Sequence, residues 1–257
     1  HKTLAVNLSD LAAMGAVPRW ATLALALPQA DEAWLERFSA GFFALAQQHG
    51  LELVGGDTTC GPLNLCVTIF GEVPPQQALR RSGAQLGDDI WVSGLLGNAA
   101  LALAHLQGRI ALPDAEFAAC APALHQPQPR VALGLALRGI ANSAIDISDG
   151  LLADLGHILD ASRVGAQIEF AALPVSSAVK GFIDQPLGKR CVLSGGDDYE
   201  LCFTAPAARR AELLDVAARL GLPLTRIGKI VAGSGCLVQD AAGEPLHVEA
   251  CGYDHFR

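Results

Sequence analysis

Carboxylates beside glycines are the chemistry-bearing feature of this chain. Asp57 stands in Gly55-Gly56-Asp57-Thr58-Thr59, Asp146 and Asp149 in Asp146-Ile147-Ser148-Asp149-Gly150, and Asp197 and Asp198 in Gly195-Gly196-Asp197-Asp198-Tyr199-Glu200. Aspartate is a short, hard oxygen donor of the kind magnesium takes, and glycine lets backbone approach a bulky anion. Each motif borders a short apolar run that reads as a strand, so the carboxylates are expected to project from strand termini into a shared crevice. A polyphosphate site is the natural reading.

Each motif has a plainer reading as well. Asp146 and Asp149 suit a helix N-cap and first turn, although Ser148, Gly150 and Asp154 crowd the same segment and one cap needs one acid. The Gly55 to Thr59 run suits a plain turn and the Gly195 to Asp198 run a hairpin turn. Adjacent Asp197 and Asp198 repel, so a cation or a basic neighbour would help to keep both ionised. Asp10 falls on an amphipathic helix, where a solvated acid is the ordinary case, and Arg81 is either a loop cation or a phosphate clamp. His105 and His157 lie in apolar helical patterns and read as interior residues. The common nucleotide fingerprints are missing: Gly228-Lys229 is followed by Ile230 without the upstream glycine of a P-loop, and no G-x-G-x-x-G follows a strand.

The elements that must hold these groups alternate. Leu4 to Ala16 has helical spacing, which places Asp10 on a helix stopped by Gly15. Trp20 to Leu27 reads as a strand, Asp31 to His49 as a helix capped by Gly50, Leu51 to Val54 as a strand delivering Asp57 directly after it, and Leu63 to Val73 as a further strand: α-β-α-β-β. The polar stretch Gln76 to Gly87 is the expected boundary, dividing residues 1–83 from 84–257. Beyond it, strands are expected at Asp89 to Ser93, Ser143 to Ile147, Ala166 to Phe170, Cys191 to Leu193, Leu201 to Phe203, Leu224 to Val231 and Cys236 to Val238. Helices are expected at Leu96 to Leu106, Val131 to Ile140, from Gly150 through Ile158, and at Ala207 to Leu220, with mixed helix and loop between Gly108 and Arg130. The fold class is α/β (α+β).

Composition removes several functions. A formal charge of −8 without any extended basic cluster speaks against nucleic acid as a partner. No apolar run reaches a bilayer span, so no membrane partner is expected despite a mean hydropathy of +0.33. That apolarity suggests buried strands or surface covered in an oligomer. The seven cysteines form no C-x-x-C pair and read as reduced core residues of a cytoplasmic protein, not as zinc ligands. The helix-like pattern starts almost at once, so a preceding amino-terminal segment is expected.

The motifs, in order, resemble the thiamine-monophosphate kinase family: Asn7-Leu8-Ser9-Asp10-Leu11-Ala12-Ala13-Met14-Gly15-Ala16, the Gly55 to Thr59 run, Arg81-Ser82-Gly83-Ala84, Asp146 to Leu151, Gly195 to Leu201, and Gly252-Tyr253-Asp254. The resemblance implies a two-domain aminoimidazole ribonucleotide synthetase-like fold, with an amino-terminal ATP- and metal-binding domain that dimerises through its sheet and a carboxy-terminal α/β domain completing the active site. It implies ATP-dependent phosphorylation of thiamine monophosphate to thiamine diphosphate by direct transfer with Mg2+. Carried over position by position, Asp10, Asp57, Asp146 and Asp149 bind magnesium, Gly56, Arg81 and Ser148 contact ATP, and Asp197 and Tyr253 contact the thiamine substrate. The family's amino-terminal Gly-Asp-Asp-Ala motif is not in these residues. A synthetase of the same fold and a nucleotide- or thiamine-binding module are the alternatives.

Overall fold

The computed structural model describes residues 1–246; Cys251 and Tyr253 lie outside them. The first unit runs α1 (Lys2–Ala13), β1 (Val17–Leu27), α2 (Glu32–Gln48), β2 (Glu52–Cys60) and β3 (Asn64–Glu72), the α-β-α-β-β order its periodicity predicts. Helix α1 stops where Gly15 takes φ 62° and the Ala16 N–H returns to the Leu11 carbonyl at 2.8 Å. Helix α2 starts on the Asp31 carboxylate, which accepts the Trp34 N–H at 3.0 Å.

β1 is the centre of a three-stranded sheet, parallel to β2 and antiparallel to β3. Side chains alternate across it. Ala21, Leu53, Val67 and Ile69 join the core under the two helices. On the opposite face Trp20 pairs with Phe70, and the two are 42% and 47% exposed. Asp57 differs from expectation: it does not follow β2 but lies within it, paired with Ala24. Glycines weaken a strand, yet here β1 supplies a ladder partner from Gly55 through Cys60. A Cβ on Gly56 would stand 1.9 Å from the Leu23 carbonyl oxygen. The neighbouring strand's backbone therefore requires this glycine, whatever approaches from outside.

The second unit runs β4 (Asp89–Ser93), α3 (Asn98–Leu106), α4 (Asp114–His125), α5 (Val131–Ala136), β5 (Ser143–Asp146), α6 (Leu151–Ser162), β6 (Gly165–Glu169), α7 (Ser177–Lys180), α8 (Pro186–Leu193), β7 (Leu201–Ala205), α9 (Arg210–Leu220), β8 (Leu224–Val231) and β9 (Gly235–Gln239). Its strands order as β5-β7-β4-β8-β6-β9. The strand expected at Cys191 to Leu193 is instead the last turn of α8, which starts with Pro186 at its amino end. Three apolar residues fit either period, and tertiary packing chose the helix. Residues 195–200 are consequently a helix-to-strand loop, not a hairpin.

One core lies between the second sheet and α3, α6 and α8. The other joins the units: Leu4, Leu8 and Ala12 of α1 pack with Leu133, Leu137, Leu201 and Phe203. Helix α5 crosses α1 so closely that a Cβ on Gly134 would sit 2.0 Å from the Ala12 carbonyl oxygen. That crossing sets the carboxyl end of α1, with Ser9 and Asp10, against the end of β5. The cysteine expectation holds for Cys120, Cys191 and Cys202, which are buried, but Cys60 and Cys66 are exposed because they lie on β2 and β3 where helices do not cover the sheet. His105 accepts the Leu112 N–H at 3.0 Å, whereas His157 faces solvent on α6. Among the described residues no helix is long and apolar enough to cross a membrane.

Candidate functional site

β5 and β7 pair antiparallel as far as Asp146 opposite Leu201, and the pairing continues beyond both strands. Ile147 N–H donates to the Glu200 carbonyl at 2.8 Å, Tyr199 N–H to Ile147 at 2.8 Å and Asp197 N–H to Ser148 at 2.9 Å. Two motifs separated in sequence are thus one backbone ladder. Gly196 permits it, since a Cβ there would come 2.4 Å from the Ser148 carbonyl oxygen. Asp197 and Tyr199 hold left-handed φ of 71° and 49°, a conformation costly for side chains that have a Cβ and tolerated where surrounding contacts enforce it.

Three buried carboxylates shape the loops and leave others free. One Asp154 oxygen accepts the backbone N–H groups of Ser148, Asp149 and Gly150 at 2.9, 3.0 and 3.1 Å. Those amides point inward, so this loop is not an anion nest; its outward resources are the Asp149 carboxylate and the Ser148 hydroxyl. Asp198 accepts the Gly97 N–H at the start of α3 with both oxygens, at 2.9 and 3.1 Å. Glu200 accepts from Ser93 Oγ and from both Nε and Nη2 of Arg130. Asp197 and Asp198 therefore coexist by facing different partners.

Asp146 is buried and accepts Ser9 Oγ at 2.7 Å. Burial pushes its pKa up against that hydrogen bond and the nearby Arg81 charge, and Asp149 adds to the rise. The Asp10 side chain reaches solvent, yet the protein packed around it, and then Asp146, raise it to about 6 while Arg81 opposes the shift. Asp146 is thus the link between α1, the β5 end and the 80–84 segment: it acts on Asp10, Asp149 acts on it, and Arg81 acts on both Asp10 and Asp146. That segment is held by Ser162 Oγ, which donates to the Arg81 carbonyl and accepts the Gly83 and Ala84 N–H groups. Like charges crowded this way favour a divalent cation.

Lys2 Nζ lies 3.0 Å from Asp197 Oδ1 and 6.0 Å from the centroid of the Tyr199 ring. Burial first, then Asp197, raise the Tyr199 phenol; Asp146 and Asp149 act on it too, which places all of them at one site. Asp10, Arg81, Asp146, Ser148, Asp149 and Asp197 are therefore brought together. Gly56 and Asp57 lie within β2 of the first sheet, lining a hollow of about 480 Å³ with Leu23, Leu53, Val54, Gly55 and Thr58. The Asp57 carboxylate accepts its neighbour Thr58's N–H at 2.9 Å. Tyr253 is outside the described residues. Among those residues no three His, Cys, Asp or Glu side chains form a ready metal cage. Magnesium suits such a set nonetheless, because it commonly takes one or two carboxylates and completes its shell with water and substrate phosphates.

Sequence reasoning missed Ser9, Lys2, Arg130 and the scale of Asp154's role. Ser9 lies inside the quoted Asn7 to Ala16 motif, one residue before Asp10. Lys2 and Arg130 carried no local signal, since their partners are distant in the chain.

Residues 1–73 match AIR synthase related protein, N-terminal domain, and residues 84–240 match AIR synthase related protein, C-terminal domain. Thiamine-monophosphate kinase of Escherichia coli K12 is 51% identical over 259 residues, covering all of this chain and 79% of that protein. The crystal structure of thiamine-monophosphate kinase from Stenotrophomonas maltophilia K279a has a TM-score of 0.89 at 55% identity, covering 95% of this chain and 78% of that one. A structure described as AaThiL complexed with AMPPCP and TMP has a TM-score of 0.85 at 31% identity, covering 99% and 79%. The assembled aspartate motifs and these likenesses have one conclusion: the chain belongs to the thiamine-monophosphate kinase family, within the AIR synthase related proteins.

Proposed function

We propose that this protein transfers the terminal phosphoryl group of ATP directly to the phosphate of thiamine monophosphate, giving thiamine diphosphate and ADP. The observation that carries the reading is the meeting of α1 with the end of the β5–β7 ladder, where Ser9 beside Asp10 donates to Asp146 and Asp149 follows three residues on, in a chain 51% identical to thiamine-monophosphate kinase of Escherichia coli K12. The acceptor is a phosphate monoester, largely dianionic near pH 7 because its second pKa is about 6, so no general base is needed. What is needed is charge neutralisation and in-line placement. Asp10, Asp146 and Asp149 would hold magnesium, with Asp57 on the first sheet as a further ligand; when bound, the ion neutralises charge between the two phosphates.

Arg81 offers the nucleotide a guanidinium, Ser148 a hydroxyl and Gly56 its backbone on β2. Asp197 is the carboxylate partner of the cationic thiazolium, and Tyr253, outside the described residues, is the further substrate contact, stacking on the thiazolium or the pyrimidine ring. The exposed row of Trp20 and Phe70 supports a homodimer through the first sheet, and the free thiols suit the reducing cytoplasm. Incubation with ATP, Mg2+ and thiamine monophosphate tests the activity: thiamine diphosphate is the expected product. ADP released without it would point to a synthetase, and ligand binding without turnover to a binding module.

A further inference from the structure

Lys2 does not belong to any motif, yet its ammonium ends in the functional site. It extends from the first turn of α1 across the junction of the two units to Asp197. Both side chains are about one third exposed, 34% and 32%, so the pair is open to an incoming ligand. Around it the local charge is lopsided. Asp10, Asp146, Asp149 and Asp197 contribute carboxylates, while Arg81 acts on the Asp10 and Asp146 end and Lys2 is the cation at the Asp197 end.

A partly exposed ion pair of this type contributes little to stability, because solvent screens it and a long side chain must be ordered. It can be exchanged at small cost. The substrate proposed above carries both charges: a cationic thiazolium and, on a two-carbon arm, a dianionic phosphate. We propose that Lys2 is a positioning residue for the acceptor phosphate, held by Asp197 until the substrate's thiazolium takes that carboxylate and the ammonium turns to the phosphate. This inference rests on the reading of Asp197 as the thiazolium partner. The exchange leaves each protein charge with an opposite partner: carboxylate with thiazolium, ammonium with phosphate. It also gives selectivity, since a ligand lacking either charge leaves one protein group without a partner. A four-carbon lysine stem allows the turn without backbone motion.

The test compares two ligands that differ only in the phosphate. Binding of thiamine and of thiamine monophosphate is measured by calorimetry on the full-length protein, for the unaltered chain, Lys2→Gln, Lys2→Arg and Asp197→Asn, with thermal unfolding recorded for each. Lys2→Gln is expected to weaken thiamine monophosphate about tenfold, the loss of one charge-assisted hydrogen bond, while thiamine binds equally well or better. Lys2→Arg restores most of the loss, and KM for ATP stays unchanged. Equal losses for both ligands, or no loss for either, in a folded Lys2→Gln protein would overturn the proposal. The reading of Asp197 fails separately: if Asp197→Asn binds thiamine as well as the unaltered chain, the thiazolium sits elsewhere and the exchange falls with it.

Discussion

At the scale of single residues, the site is a balance of crowded carboxylates held close by neutral donors. Asp146 is kept in place by Ser9 Oγ at 2.7 Å, and Asp149 projects from a loop whose amides are all spent on Asp154. If Asp10 and Asp149 serve one ion cluster, Asp149→Asn should lower kcat by ~100-fold or more with an unchanged fold, since the amide keeps the shape and removes the charge. Adding Asp10→Asn should then cost little more, because residues acting as a unit are not additive. Steady-state kinetics with circular dichroism on Asp149→Asn, Asp10→Asn and the double variant decide it; full activity in Asp149→Asn at ordinary Mg2+ would remove that residue from the cluster.

The same crowding has a pH signature. Asp10 and Asp154 are both raised to about 6, mainly by burial, so the folded protein binds more protons than the unfolded chain between the ordinary carboxylate range and pH 6. Their contribution to stability is therefore fully present below about 4 and lost as pH rises through about 6. In chelator, the melting temperature should carry this falling component between pH 5 and pH 7, and Asp10→Asn should reduce that slope and modestly raise stability at pH 7. Thermal scans at the two pH values check the sign; a steeper fall in Asp10→Asn would contradict it.

At the scale of elements, glycine acts here through backbone contact with backbone. Gly56 admits β1, Gly134 admits α1, and Gly196 admits the Ser148 carbonyl. Gly196→Ala should push the 195–200 loop off the β5 end, breaking the Asp197–Ser148 bond at 2.9 Å. The expected result is a loss of stability of ~1–3 kcal/mol and a larger proportional loss in affinity for thiamine monophosphate than for ATP. Denaturant titration and the two KM values measure both. Normal stability and kinetics in the Gly196→Ala variant would show the ladder to be dispensable.

At the scale of the whole molecule, two sheets share α1, and one sheet keeps an uncovered face. Trp20, Phe70, Val54 and Leu63 are 42%, 47%, 57% and 57% exposed in the first unit. Apolar area of this sort is normally covered. A homodimer through the first sheet predicts that Phe70→Asp gives a monomer in light scattering while the second unit keeps its fold. An unaltered protein that remains monomeric at high concentration would exclude that assembly.

Most of the periodic elements, the acidic surplus and the glycine-flanked aspartates are legible in the amino-acid order alone. These follow from local spacing: a helix period of α1 that stops at Gly15, the alternation of β3, a charge count. It also placed Asp10 on a helix and Asp146 at a strand end. That Asp57 lies inside β2 follows from folding, because a strand with two glycines depends on its neighbour β1. Packing likewise turned Cys191 to Leu193 into helix, a choice that three apolar residues do not contain. The division of labour among adjacent acids was equally non-local: Asp198 serves the start of α3, about a hundred residues away in sequence, while Asp197 meets Lys2 at the other end of the chain. Sequence spacing reports what the backbone does within a few residues; which carboxylate is free to bind and which is spent on structure is fixed by partners that only folding brings near.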